Sequence, residues 1–121
     1  QVPCYIFKEN LILIKLSSLD FSFMVEDNIS TIFKELHDFK MKVDVIQNSA
    51  ISFSVCFFDK YNNIDTLVKN LEGKFKIEMY KNVSLFTIRH FNEKSIEKVS
   101  NKRKLVLEQR TEKTVRLIFS N

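Results

Sequence analysis

Apolar and polar positions along the first half of the chain predict a strand followed by an amphipathic helix. Residues 11–16 (LILIKL) form an apolar run bounded by polar residues, which is typical of a strand buried on both faces. Apolar positions at helical spacing follow, and they are Ile29, Ile32, Phe33, Leu36 and Phe39. This spacing predicts a helix over residues 27–40, in which Asp27 or Asn28 can cap the first turn.

The next segment predicts a hairpin and a second helix. Residues 43–46 and 51–58 have the alternation of strands, and the intervening QNSA has turn chemistry. A second set of apolar positions at helical spacing is Ile64, Leu67, Val68 and Leu71. We expect Asn62 or Asn63 to cap this helix, and Gly73 to end it by supplying a left-handed residue.

A strand over residues 74–79 completes the order β-α-β-β-α-β, so residues 1–80 are expected to form a ferredoxin-like α+β module. Residues 81–121 contain a strand at 83–90, a polar segment at 92–100 with one or two helical turns, and a hairpin of 105–109 with 115–119. This tail is an abbreviated second copy of the same module, sharing or extending an antiparallel sheet. An incomplete copy must cover its apolar face with the first module or with another chain.

Composition and charge exclude several classes of protein. The 121 residues carry a net charge of +4, but the lysines are interspersed with acids and only residues 102–104 form a basic run. Nucleic acid is therefore not an expected partner. Cys4 and Cys56 suggest no disulfide framework, which fits a reduced cytoplasmic setting, with Cys56 a small buried apolar residue. No apolar run approaches the ~20 residues that span a bilayer, so no membrane association is expected. The chain opens with Gln1 rather than Met, so we expect a missing part on the N-terminal side.

No catalytic set can be assembled from these residues. His37 and His90 have no zinc-ligand spacing to the cysteines, and a single glycine cannot build a phosphate-binding loop. We therefore expect neither an enzyme nor a metal site in this chain. An RNA-binding sheet is an alternative, because residues 53–58 (FSVCFF) faintly resemble the aromatic strand of an RNA-recognition module. Such modules place a basic residue and glycine before the aromatics, where this chain has Asn48, Ser49 and Ala50.

The segment VDVIQNSAISFS at residues 43–54 resembles the first ACT module of aspartate kinases, which reads V-D-x-I-x-T-S-E followed by V-S-x-S. Residues 64–79 resemble the second helix and closing strand of that module, and residues 83–88 resemble the opening strand of the next one. Residues 105–118 resemble the final hairpin of some short bacterial members. The resemblance covers nearly the whole chain and identifies it as similar to the C-terminal regulatory region of an aspartate kinase.

The resemblance implies a non-catalytic piece of an enzyme that converts ATP and L-aspartate to 4-phospho-L-aspartate, the first step toward lysine, threonine and methionine. ATP and Mg would belong to the missing kinase domain, and this piece would need no cofactor. It implies a homodimer formed through ACT modules and an amino-acid effector such as lysine or threonine. A purely structural dimerisation module remains an alternative.

The resemblance also implies a set of effector-binding residues, which are Asp27, Asn28, Ile29, Val43, Asp44 and Ser49. Asp44, placed to accept a ligand ammonium, and Ser49 match the family pattern. Asp27 stands where the family has a glycine that lets backbone amides approach the ligand carboxylate, Asn28 replaces an aromatic residue, and Ala50 replaces an acidic one. The departures predict effector binding that is weakened or altered.

Overall fold

The computed structural model describes all residues, 1–121, and contains six strands and three helices. The strands are β1 (Cys4–Ser18), β2 (Lys42–Asn48), β3 (Ser52–Phe58), β4 (Phe75–Arg89), β5 (Lys104–Arg110) and β6 (Thr114–Ser120). The helices are α1 (Glu26–Asp38), α2 (Ile64–Leu71) and α3 (Glu93–Ser100). The strands form an antiparallel sheet in the order β2-β3-β1-β4-β6-β5, so the predicted α+β class and shared sheet are confirmed.

The chain divides into two compact units, Ile12–Tyr80 and residues 1–11 with 81–121. Both β1 and β4 pass from one unit into the other. The first unit therefore uses the C-terminal half of β1 and the N-terminal end of β4, and the second unit uses their remaining parts. The assignment of modules to 1–80 and 81–121 stays a prediction.

Alternation along the strands places a continuous apolar face against α1 and α2 in the unit Ile12–Tyr80. The buried side chains of this core come from three strands and both helices, and they include Ile12, Ile14, Leu16, Ile32, Leu36, Phe53, Val55, Phe57, Ile64, Leu67, Leu71 and Phe75. Successive residues of a strand point to opposite faces of the sheet, so every second residue from Ile12 to Leu16 in β1 and from Phe53 to Phe57 in β3 is buried in this core. The β-α-β-β-α-β order predicted for this segment is confirmed.

The second unit has its own core beneath α3. Its buried apolar side chains are Ile88, Ile96, Val99, Val115, Leu117 and Phe119. The predicted helical turns at 92–100 are confirmed as α3, which begins with a reciprocal capping box. The Asn92 side-chain oxygen accepts a hydrogen bond from the Ser95 backbone N–H at 2.7 Å, and Ser95 Oγ accepts one from the Asn92 N–H at 2.9 Å.

Two strand predictions were wrong in extent. β1 begins at Cys4 rather than at residue 11, and β4 is continuous where the sequence predicts separate strands at 74–79 and 83–90. Each long strand contains an asparagine with left-handed backbone, Asn10 (φ 62°) in β1 and Asn82 (φ 54°) in β4. Asparagine tolerates this conformation better than most residues, so the strand continues through a position that interrupts its apolar pattern.

The helix ends also differ from the predicted ones. α1 begins one residue before Asp27, with Val25 as its N-cap, and the side chain of Asn63 does not cap α2. The Asp59 carboxylate does so instead, because it accepts hydrogen bonds from the N–H groups of Asn63 and Ile64, both at 2.9 Å. Gly73 does not adopt a left-handed backbone, so the predicted glycine stop was wrong.

Candidate functional site

The first part of the predicted site is the N-terminal turn of α1. Asn28 Oδ1 accepts a hydrogen bond from the Val25 N–H at 3.0 Å, and the Asn28 N–H donates to the Val25 carbonyl, also at 3.0 Å. Valine has no side-chain oxygen, so the amides of Glu26 and Asp27 receive no side-chain cap. Such amides attract a carboxylate at the positive end of the helix dipole. The exposed carboxylates of Glu26 and Asp27 oppose that attraction.

Ser49 lies in the turn between β2 and β3 and is tied to Ser52. The Ser49 N–H donates to the Ser52 carbonyl at 2.9 Å, and the two Oγ atoms lie 2.8 Å apart. The following residue, Ala50, accepts a hydrogen bond through its carbonyl from the Met24 N–H at 2.9 Å. This bond holds the β2–β3 turn against the segment that enters α1. Ser49 and the predicted residues Asp27, Asn28 and Ile29 therefore lie at the same end of the unit.

Val43 and Asp44 lie near the opposite end of β2. The pairing of β2 with β3 shifts register between Val43 and Val45, so Asp44 is the extra residue of a β-bulge. Its side chain is half-buried. Ser49 follows Asp44 by five positions of extended chain, which corresponds to about 16 Å. Within one chain, the predicted site is thus divided into two groups, one at each end of this strand.

Neither a metal centre nor a histidine-based catalytic group accompanies these residues. The structure contains no cluster of three or more histidine, cysteine, aspartate or glutamate side chains that could hold a metal ion. His37 is exposed on α1 and His90 is half-buried. Cys56 is fully buried and Cys4 is exposed, and both are free thiols. None of the three helices is long and apolar enough to cross a bilayer.

Solved structures with the same architecture cover nearly the whole chain. A C-terminal regulatory domain described as that of aspartate kinase from Porphyromonas gingivalis W83 has a TM-score of 0.76 at 14% identity, over 98% of this chain and 86% of that one. The regulatory subunit of aspartate kinase from Thermus thermophilus has a TM-score of 0.64 at 12% identity, over 96% and 86%. Escherichia coli aspartokinase III in complex with lysine and aspartate has a TM-score of 0.70 at 16% identity.

The chain has the fold of the aspartate kinase regulatory domains. The match to E. coli aspartokinase III covers 96% of this chain but only 28% of the length of that enzyme. No protein-family model matches the chain, and no curated protein matches it by sequence. At identities of 12–16%, the structural similarity supports the fold alone. That fold is the ACT-type arrangement that the resemblance in residues 43–54 predicts.

Exposed apolar side chains lie in the segment that enters α1 and in the β2–β3 turn of this aspartate kinase regulatory fold, and the sequence did not predict them. They come from the β1–α1 segment and the β2–β3 turn, and they are Leu19, Phe21, Phe23, Val25 and Ile51. Phe23 is 70% exposed and Phe21 is 59% exposed. A concentration of exposed apolar residues in one segment, here four of residues 19–25, is typical of an interaction surface. The available signal was the alternation of apolar residues at 19–25, outside any predicted strand or helix.

The same segment contains a small hydroxyl network. Ser18 Oγ donates to the Ser22 carbonyl at 2.9 Å, and the Ser22 N–H donates to the Asp20 carboxylate at 3.1 Å. Hydrogen bonds from Ser22, with a further contribution from Ser18, hold the pKa of Asp20 below its usual value. The network fixes the path of the β1–α1 segment, and so the position of the apolar side chains that the segment carries.

Proposed function

We propose that this chain is the regulatory region of an aspartate kinase of the cytoplasm, which pairs subunits and binds an end-product amino acid, with lysine the first candidate. The observation that carries the proposal is the agreement of fold with aspartate kinase regulatory domains over 96–98% of the chain. The region has no catalytic role. Phosphorylation of aspartate with ATP and Mg would belong to a separate kinase domain.

The position of β2 supports pairing with a second copy. β2 is the first strand in the sheet order, and an edge strand presents a row of backbone groups that can pair with another strand. Gln47 and Asn48 on this strand are exposed. The exposed side chains Phe23 and Val25, which precede α1, lie near the C-terminal end of the same strand and would be covered by a partner.

Pairing would also complete the divided effector site. Two β2 strands that pair antiparallel about a two-fold axis bring the beginning of each strand close to the end of its partner. Asp44 of one copy would then approach Ser49 and the α1 amides of the other. The Asp44 carboxylate would accept the ligand ammonium, while Ser49 and the amides of Glu26 and Asp27 would contact the ligand carboxylate.

The side chains of the helix start argue for weak binding. Asp27 stands next to the position proposed for the ligand carboxylate, and it would repel that group. Asn28 is already engaged with the Val25 N–H. Ala50 supplies no acceptor for a second ligand ammonium. E. coli aspartokinase III has been crystallised with lysine, and we expect this chain to bind lysine with a dissociation constant in the millimolar range, about −4 kcal/mol.

Sedimentation velocity and calorimetry test the two parts of the proposal. At tens of micromolar protein we expect a dimer, and a monomer under these conditions would contradict pairing. Calorimetric titrations with lysine, threonine and methionine should give heat with lysine. Absence of heat with all three amino acids would refute sensing while leaving the pairing role intact.

A carboxylate substitution tests the role of Asp44. The variant Asp44→Asn should lower lysine affinity about tenfold or more, because removal of one member of a ligand ion pair leaves the ammonium without a charged partner. Asp38→Asn is the matched control, since Asp38 is an exposed aspartate at the other end of α1 that pairs only with Lys34. Equal affinities for the two variants would remove Asp44 from the site.

A further inference from the structure

A small cavity lies in the unit Ile12–Tyr80, on the sheet face away from α1 and α2. Its volume is about 190 Å³. Its floor consists of Lys15 and Ser17 from β1, Ser52 from β3, and Lys76 and Glu78 from β4. A water molecule occupies about 30 Å³ of liquid, so the cavity has room for roughly six waters or one molecule of that size.

Strand alternation explains why polar side chains gather on this face. Ile14 and Leu16 are buried toward the helices, which turns Lys15 and Ser17 to the opposite face. Ser17 pairs directly with Ser52 on β3, so the two short side chains are neighbours on the cavity floor.

The same alternation operates on β4. Phe75 is buried in the helix-side core and Ile77 packs against it, which turns Lys76 and Glu78 to the cavity. Two side chains from the loops, Phe21 and Ile51, line the rest of the cavity and supply its apolar surface.

The charges of the cavity are not used in ion pairs within the protein. Lys15, Lys76 and Glu78 each lack an ion-pair partner within 4.0 Å. The Lys76 ammonium lies 5.1 Å from the centroid of the Phe21 ring, which holds the cation beside the apolar wall. The cavity thus offers two ammonium groups, one carboxylate and two hydroxyls to a ligand.

We propose that this cavity binds a small amino acid with two acidic groups, of the aspartate or glutamate type. Such a molecule carries two negative charges and one positive charge, which complement the two lysines and Glu78. The methylene groups of the ligand would contact Phe21 and Ile51, and the serine hydroxyls would donate to its carboxylates.

Simpler ligands match this arrangement less well. A dicarboxylate without an amino group leaves Glu78 facing two like charges, and an amino acid with one carboxylate leaves one lysine without a partner. The cavity includes none of the residues assigned to the lysine site, so the two proposals can fail separately. Ser52 contacts Ser49 through their Oγ atoms, which places the cavity beside the β2–β3 turn.

Titrations of the ¹⁵N-labelled full chain test the proposal. L-Aspartate and L-glutamate at millimolar concentrations should shift the amide resonances of Lys15, Ser17, Ser52 and Lys76. Lys15→Gln and Lys76→Gln should each weaken binding about threefold or more, in the range found for partly exposed charge pairs. Lys42→Gln is the matched control, because Lys42 is an exposed strand lysine of the same unit that does not line the cavity.

Succinate separates an amino-acid site from a general anion site. The wild-type chain should bind aspartate at least threefold more tightly than succinate, and Glu78→Gln should abolish that preference. The proposal is overturned if aspartate and glutamate shift none of these resonances, if the lysine variants bind as the Lys42→Gln control does, or if succinate binds the wild type as well as aspartate. Lysine added to the same samples should instead shift resonances near Asp44 and α1.

Discussion

Replacement of Lys40 by glycine tests how the chain ends α1 without a glycine. Lys40 follows the C-cap Phe39 with φ at 58°, in the left-handed region. Its N–H donates to the His37 carbonyl at 3.0 Å, and the N–H of Met41 donates to the Leu36 carbonyl at 2.9 Å. These two bonds form a Schellman motif, in which the left-handed position is usually glycine.

The expected magnitude follows from three contributions. A side chain in the left-handed region costs about 1–2 kcal/mol, which glycine removes. Glycine raises the entropy of the unfolded chain, which costs about 0.4–1 kcal/mol. The Lys40 ammonium lies 5.6 Å from the centroid of the Tyr61 ring, a contact of about 0.5 kcal/mol at an exposed site. Lys40→Gly should therefore be close to the wild type in stability.

Lys40→Ala isolates the backbone effect, because alanine also loses the Tyr61 contact but keeps the β-carbon. The glycine variant should be more stable than the alanine variant by about 0.8 kcal/mol, which is the left-handed cost less the entropy of glycine. For a chain of 121 residues, that difference corresponds to about 3 °C in Tm.

Urea unfolding followed by circular dichroism measures the difference, with the m-value as a check that compactness is unchanged. The same two substitutions at Lys42, the first residue of β2, provide the control. There the glycine variant should be the less stable one, by about 0.5–1 kcal/mol. A Lys40→Gly variant no more stable than Lys40→Ala would refute the assignment of backbone strain to this residue.

Three further predictions concern stability and pH. Leu67→Ala should lower the free energy of unfolding by about 3 kcal/mol, because Leu67 is fully buried, whereas Leu105→Ala, at a 45%-exposed residue, should change it by less than about 0.5 kcal/mol; urea unfolding compares them. Asn92→Ala should lower the free energy of unfolding by about 1 kcal/mol in the same assay, because it removes the cap of α3, whereas Asn92→Ser should retain most of the wild-type stability. The Asp20 carboxyl should titrate by NMR below its usual pKa, and Ser22→Ala should raise that pKa. Because the folded-state pKa is lowered, the stabilisation by Asp20 is present above its unfolded-state pKa and is lost as pH falls through the folded-state value.

Elements with one buried and one exposed face were predictable from the spacing of their apolar residues, and segments without such a difference between faces were not. In α1 and α2 the apolar period coincides with one buried face, so the pattern alone locates both helices. The N-terminal half of β1 gives no such contrast, because Tyr5, Ile6 and Phe7 are all exposed. Alternation then carries no information on which face is buried, and the strand was placed too late in the chain.

Glycine was a poor guide to backbone conformation in this composition. The sequence has one glycine, and it is not in the left-handed region, while seven other residues are, including Phe21, Lys40, Asn82 and His90. A rule that reads glycine as the end of a helix therefore fails twice. It predicts a left-handed backbone at Gly73, where there is none, and does not predict the left-handed backbone at Lys40.

The resemblance predicts the residues of the proposed effector site, but it does not predict their arrangement in the chain. The resemblance of VDVIQNS to the aspartate kinase pattern predicts that Asp44 and Ser49 belong to one effector site. The chain is extended from Asp44 to the end of β2, so the five positions to Ser49 correspond to about 16 Å rather than to a contact. The structure shows that β2 extends from Lys42 to Asn48 and that Ser49 follows it in the turn, so one chain cannot bring Asp44 and Ser49 together.

This separation makes assembly and sensing a single equilibrium under the proposed function. If the ligand contacts Asp44 of one copy and the α1 amides of the other, only the dimer has a complete site. A ligand that binds only the dimer must stabilise it, and by thermodynamic reciprocity dimer formation must raise the apparent affinity for the ligand by the same factor. The weak contacts expected at Asp27 and Ala50 then matter less than the strength of pairing. At low protein concentration, the apparent affinity for the ligand is the affinity of the dimer multiplied by the fraction of chains that are paired. Regulation in such a protein would depend on how firmly the β2 edges and the apolar side chains around Phe23 hold two copies together.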